Sequence, residues 1–312
     1  MTENTLGGFC RDLVDDDPYG QAIDPERLAA RFVDHFGLSA RPNLVELTDL
    51  AERAGFGTVR EGKMEGLKGA HVGQPGGEYH IYHRDDLWEG SKAQTVLHEL
   101  YEIILERMAE IHSPGMPVPS GPHPVICQQA ERFAAAALMQ ADIFLSYAHA
   151  SGLDVVALHN AFGCAYSSAA LRLAEVVRDP PLMAVLYERE EEGDPTGWTG
   201  PAVLRARVVK RTAGFGASSS RLICGRRGGL PRRDKALPYG SLAERAVHSG
   251  EIEYAEGDGL AAIAKPVLWK GLLAKVIVVA VPWEHRQALE PQLGRQSRPY
   301  PSFVTRAVTA AS

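Results

Sequence analysis

Cysteine is scarce in this chain, and what there is lies scattered. Cys10, Cys127, Cys164 and Cys224 form no CxxC pair, which argues against a disulfide framework and against a cysteine-built zinc site. Long apolar runs are missing too. The longest, Leu272 to Trp283, is interrupted by Lys275 and Pro282 and is too short to span a bilayer. The first residues are polar and acidic, unlike a secretory signal. No internal repeat stands out. These absences lead to the expectation of a cytoplasmic protein with no membrane partner. A length of 312 residues allows two domains, and 45% hydrophobic against 23% charged residues is an ordinary globular balance.

What is present centres on Ser91 to His112, SKAQTVLHELYEIILERMAEIH, a stretch free of Gly and Pro. Val96, Leu97, Leu100, Ile103, Ile104, Met108 and Ile111 recur at spacings of three and four, which predicts an amphipathic helix. Within it lies His98-Glu99-Leu100-Tyr101-Glu102. Side chains four apart share a helix face, so His98 and Glu102 can hold one cation together, with Glu99 at its edge. The layout is that of the HExxH metalloprotease helix, with Glu102 standing where the second His would be. A hydrolytic site needs three protein ligands and an open position. Glu131, on a later predicted helix, is the candidate third ligand, and Glu99 is the candidate base. Exchanging a nitrogen donor for oxygen at position 102 moves preference from zinc, the first choice, towards manganese or iron.

Along the chain, residues 1–20 read as a flexible lead-in. Asp24 and Pro25 begin a helix that runs to Phe36 and stops at Gly37; a second spans about Asn43 to Ala54. Phe56 to Arg60 and Glu78 to His83 are predicted strands, the latter an edge strand able to receive a peptide by strand addition. His80 and His83 fall on its opposite faces and are expected to be structural or solvent-facing. After a Pro-rich loop, Ser113 to Pro124, one helix is expected from Val125 to about Phe144. Two more, around Asp154–Phe162 and Ser167–Val177, have helix-turn-helix spacing. Arg172 is the second one's sole outward candidate for base reading, so packing is the better reading of that pair. Residues 188–200 read as an acidic linker. Beyond them strands are expected at Val203–Val209, Arg221–Cys224, Glu251–Tyr254, Leu260–Pro266 and Ala274–Val281, with a helix near Ser241–Ser249. The expected class is α+β: a mostly helical domain with a small sheet over 21–187, a smaller α+β domain over 201–290, and a tail over 291–312. The segment from Pro201 to Gly240 holds ten basic residues against Asp234 and carries +9, leaving −15 for the remainder. Such a split points to an anionic partner, or to a solvated surface that pairs with acidic neighbours.

The run from about Ile23 to Val177 resembles the ImmA/IrrE family of metallopeptidases. The resemblance rests on the order of elements, on TVLHELYEIIL in place of the family's AHELGHxLL, and on AERFAAAALM, which is similar to the family's second-helix pattern. It covers about half of the chain and implies a zincin-like domain. His98 takes the first ligand position, Glu99 the base and Glu131 the carboxylate ligand; Glu102 departs from the second His position, and Gln140 from a usual Pro. It also implies a protein substrate, a helix-turn-helix repressor, in stress or mobile-element regulation. Two alternatives stand beside the endopeptidase. One is a non-catalytic regulator that keeps the peptidase fold, with a C-terminal domain likened loosely to a GAF sensor by its order of elements. The other is a nucleic-acid-associated regulator acting through residues 201–240.

Overall fold

A computed structural model of the chain describes residues 4–16, 24–75, 77–113, 123–189, 203–269 and 272–293. The class is α+β, with helices and two separate sheets. The chain divides into two compact units: residues 1–144 with 159–165, and residues 145–158 with 166–312. The division passes through two helices, α6 (Ala141–Ser151) and α7 (Val155–Phe162).

In the first unit the lead-in is not flexible throughout. Residues Leu6–Asp16 form α1 and bury Leu6, Phe9, Cys10 and Leu13. Spacings of three and four put these on one stripe, and burying an apolar stripe is what holds a short helix in place. Next comes α2 (Pro25–Phe36), whose ends follow the sequence: Asp24 accepts from the Glu26 N–H at 2.8 Å, Pro25 fills the first turn, and Gly37 ends the helix at φ 63°. After α3 (Leu44–Arg53), strands β1 (Gly57–Gly62), β2 (Gly69–Gly73) and β3 (Tyr79–Arg84) form a sheet in the order β1-β3-β2. β3 is therefore central, parallel to β1 and antiparallel to β2, and not the edge strand expected from its sequence. β1 and β2 are the two outer strands, and β2 is a segment too rich in glycine to show a strand pattern.

The central helix is α4 (Glu89–His112), and it buries Val96, Leu97, Leu100, Tyr101, Ile103 and Ile104 as its periodicity requires. It packs on α1, α3, β2, β3 and α5 (Pro124–Leu138). Alanines 130, 134 and 137 of α5 are buried and let the two helices approach. Around them Phe9, Phe32, Phe36, Phe56 and Phe133 form an aromatic core, ring centroids 5.0–6.1 Å apart. The single helix expected over 125–144 is broken at Met139 and Gln140, where the Gln140 amide donates to the Ser39 carbonyl at 2.9 Å.

The second unit holds a five-stranded antiparallel sheet in the order β5-β4-β8-β7-β6. Its strands are β4 (Met183–Arg189), β5 (Leu204–Arg211), β6 (Glu253–Gly257), β7 (Leu260–Trp269) and β8 (Leu272–Pro282). α8 (Tyr166–Val176) packs on β4 and β5. Residues 166–187, expected in the first domain from the sequence, thus pack with the C-terminal strands. Met183, Val185, Tyr187, Ala262, Val276 and Val278 face Ile223, Leu242, Ala243 and Ala246. Those four come from α9 (Arg221–Cys224) and α10 (Leu242–Ser249). Arg221–Cys224 is therefore a helical turn and not the strand expected, because Asp258 draws its first N–H groups: the Arg221 N–H donates to the Asp258 carboxylate at 2.6 Å and that of Leu222 at 3.2 Å. Arg172, the outward candidate of the helix-turn-helix reading, is buried. The linker expected over 188–200 and the tail over 291–312 lie largely outside the described residues; Glu188 and Arg189 complete β4.

Candidate metal centre

The face that α4 turns towards β2 and α5 carries His98, Glu99, Glu102 and Glu106. His98 Nε2 stands 3.3 Å from Glu102 Oε1, the i,i+4 contact that the sequence predicts. Two donors of a tetrahedral zinc site are about 3.3–3.6 Å apart, given bonds of about 2.0–2.2 Å. The pair therefore has the spacing a cation requires. α5 adds a donor that the scattered cysteine pattern does not suggest: the Cys127 thiol points at Glu102 Oε1 from 3.9 Å. The ligand atoms of His98, Glu102 and Cys127 all lie within 4.8 Å of one another. An imidazole, a carboxylate and a thiol make a donor set suited to zinc.

Glu131 sits one helical turn beyond Cys127 on α5 and is exposed. It is not among the donors gathered within that 4.8 Å radius, but its charge reaches both His98 and Cys127. Burial lowers the basicity of His98, but the hydrogen bond to Glu102 and the charges of Glu99, Glu102 and Glu131 outweigh it and raise the imidazole pKa. The Cys127 thiol is also raised, by desolvation first and then by Glu102 and Glu131. The surplus of negative charge is what a dication would neutralise.

His71 is the residue that sequence reasoning misses. It reaches the site from β2, its Nδ1 2.8 Å from Glu99 Oε2 and its Nε2 3.1 Å from Glu106 Oε1. Burial alone would lower its pKa, but the hydrogen bonds to Glu106 and Glu99 carry it up to about 10. Tyr79 packs its ring edge-on to His71 at 5.7 Å. The approach depends on Gly69, where a Cβ would sit 2.8 Å from Glu99 Oε1 and 2.3 Å from the Thr95 methyl. Only a residue without a side chain lets this strand lie so close to α4. A His within the KGAHVG segment is the one signal the sequence offers, and it is weak. His80 and His83 are not part of either donor cluster: His80 Nδ1 meets the Thr58 hydroxyl at 2.8 Å, and His83 is buried.

The basic segment lies in the second unit. β5 is an edge strand, and the backbone of 234–237 runs beside it through the Ala206 N–H to Lys235 carbonyl and Leu237 N–H to Leu204 carbonyl bonds. Arg205 and Arg207 are thereby brought next to Arg232, Arg233 and Lys235. Asp234 pairs with Arg207 at 3.2 Å and Arg233 at 3.8 Å.

No protein-family model matches the chain, and no curated protein matches it. Among solved structures, its fold is similar to that of a Mycobacterium tuberculosis transcriptional regulator. The likeness has a TM-score of 0.55 and 14% sequence identity, and covers 93% of this chain and 84% of that one. At this identity the likeness extends to the fold alone. Among the described residues, no helix is long and apolar enough to cross a membrane.

Proposed function

We propose that the chain is a cytoplasmic, zincin-like metal-dependent endopeptidase of the ImmA/IrrE type, acting on a protein partner such as a helix-turn-helix repressor. The observation that carries this reading is the convergence of His98 Nε2, Glu102 Oε1 and Cys127 Sγ from two helices, with the carboxylate of Glu99 beside them. His98 and Glu102 would hold the ion, zinc first and manganese or iron as alternatives, with Cys127 and Glu131 of α5 as the neighbouring donors. When bound, a divalent ion supplies Lewis acidity towards a peptide carbonyl and a water. The chain's own residues do the rest. Glu99, 7% exposed in its side chain, takes a proton in a partly dry environment. His71 holds that carboxylate in one rotamer. The open edge of β2 offers backbone groups to an extended peptide.

The test is direct. The zinc-loaded chain is incubated with a panel of helix-turn-helix repressors, and new N-termini are read by mass spectrometry. Wild type is expected to cut and Glu99→Gln to keep its metal without cutting. Cutting by Glu99→Gln as fast as wild type would show that Glu99 is not the base. No new terminus from any loaded preparation favours the second reading, a non-catalytic regulator on the same fold. Two observations speak for that reading: a carboxylate replaces the second imidazole, and Glu99 is already engaged by His71. The similar solved structure is itself named a transcriptional regulator. In that case the second unit, read by loose analogy as a GAF-like sensor, and an anionic partner at residues 201–240 become the functional parts.

A further inference from the structure

Glu102 presents its two oxygens to two different sets of donors. Oε1 faces His98 Nε2 at 3.3 Å and Cys127 Sγ at 3.9 Å. Oε2 lies 3.9 Å from His71 Nδ1, which meets Glu99 Oε2 at 2.8 Å. The proposed endopeptidase uses the first set. We propose that the second set, His71 Nδ1, Glu99 Oε2 and Glu102 Oε2, is a separate site for a second divalent cation, with Glu102 as the carboxylate shared by both ions. The site rests on the endopeptidase reading in one respect: an ion there takes Glu99 as a ligand and withdraws it from service as a base.

Geometry and chemistry support the second site independently of the first. All three donor groups lie within 4.8 Å of one another, and the 2.8 and 3.9 Å separations straddle the about 3.3 Å spacing of ligands around a tetrahedral ion. The other nitrogen of His71 is 3.1 Å from Glu106 Oε1. A carboxylate behind the non-coordinating nitrogen is the usual device that fixes the tautomer and orientation of a metal-binding imidazole. His71 and Glu99 are 11% and 7% exposed in their side chains, so the Glu99 carboxylate beside this imidazole is poorly hydrated and gains from a dication. The two oxygens of one carboxylate hold bridged ions about 3.5–4 Å apart, the spacing of two-metal centres. The donors also differ in hardness. Imidazole with two carboxylates takes manganese or iron more readily than imidazole, carboxylate and thiolate, which select zinc.

The experiment is metal stoichiometry on the full chain by equilibrium dialysis and mass spectrometry of the metal, with zinc alone and with manganese alone. Wild type is expected to bind two zinc ions per chain at saturation, with separable affinities, and His71→Gln one. Cys127→Ser is expected to weaken the tighter zinc and leave the second. Should His71→Gln fold poorly by circular dichroism, Glu106→Gln serves in its place, with the second ion weakened by about 10- to 100-fold and the first unchanged. One ion per chain in wild type overturns the second site and leaves the endopeptidase reading standing. Two ions in a folded His71→Gln chain, or an unaltered second affinity in Glu106→Gln, overturn it as well. No bound ion at all overturns both. In the cleavage assay the rate is expected to fall as the second equivalent of zinc binds; a rate that holds steady while a second ion binds refutes the silencing role.

Discussion

Replacing Gly69 by alanine adds one methyl group at the closest passage of β2 over α4, and its consequences can be worked from the geometry. The new Cβ meets the Thr95 methyl at 2.3 Å, Glu99 Oε1 at 2.8 Å and the Tyr82 carbonyl at 3.0 Å. Ordinary contact begins at 3.4 Å, so at least one partner must retreat by about 1 Å. The Tyr82 carbonyl belongs to the central strand and cannot rotate away. Thr95 is held by its hydroxyl, which donates to the Ser91 carbonyl at 2.8 Å. The remaining relief is for β2 to lift from the helix, which opens the His71–Glu99 contact. Overpacking of this kind costs about 1–3 kcal/mol. Urea unfolding of wild type and Gly69→Ala, with the slope compared as well as the midpoint, reads that loss. Hydrogen exchange at the β2 and β3 amides is expected to accelerate in the variant while the second unit is unchanged. A variant within about 0.5 kcal/mol of wild type, with unaltered exchange in β2, would refute the close passage of strand and helix and the site geometry that depends on it.

Other predictions concern separate parts of the molecule. Glu131→Gln is expected to lose much of its bound zinc with the helical circular dichroism spectrum intact, and unchanged metal content in both Glu131→Gln and His98→Ala would sink the ligand assignment. Glu102→His restores the second imidazole and is expected to tighten zinc, measured by competition with a chromophoric chelator. In the second unit, the buried pair of Lys265 and Asp154 is 6% and 1% exposed in its side chains. Asp154→Asn removes the carboxylate that faces the buried Lys265 ammonium and is expected to cost about 3–5 kcal/mol in denaturant unfolding, much of it recovered when Lys265→Met is added. The Asp258 carboxyl is held below the ordinary range by the N–H groups of Leu222 and Arg221. Its contribution to the start of α9 is present above the unfolded-state pKa and is lost as pH falls through the lowered value, so Asp258→Asn should flatten the acid limb of stability monitored at that turn. Affinity of the chain for a polyanion such as heparin, if residues 201–240 bind one, should fall steeply with salt.

Much of the frame is legible in the sequence because its signals are local. α2 carries its own start and stop in Asp24, Pro25 and Gly37, and α4 declares itself through an unbroken apolar period. The His98–Glu102 pair follows from helix geometry and needs no tertiary information. α1 is masked because glycines and acids near it imitate a loop, whereas the burial of Phe9 and Leu13 against the rest of the unit decides the matter. β4 is hidden for a related reason: buried on both faces, MAVLY shows no alternation, and a short apolar run does not distinguish strand from helix.

The amino-acid order alone therefore determined the central helix, the face that carries its carboxylates and the α+β class, since each depends on contacts within a few residues. That β3 is central with β2 at an edge, that His71 and Cys127 join the helix from either side, and that Glu131 stands one turn beyond the gathered donors were decided by packing. A side chain's neighbours across 28 or 25 positions of chain are fixed by how closely backbones approach, and at Gly69 that approach depends on an atom the sequence leaves out.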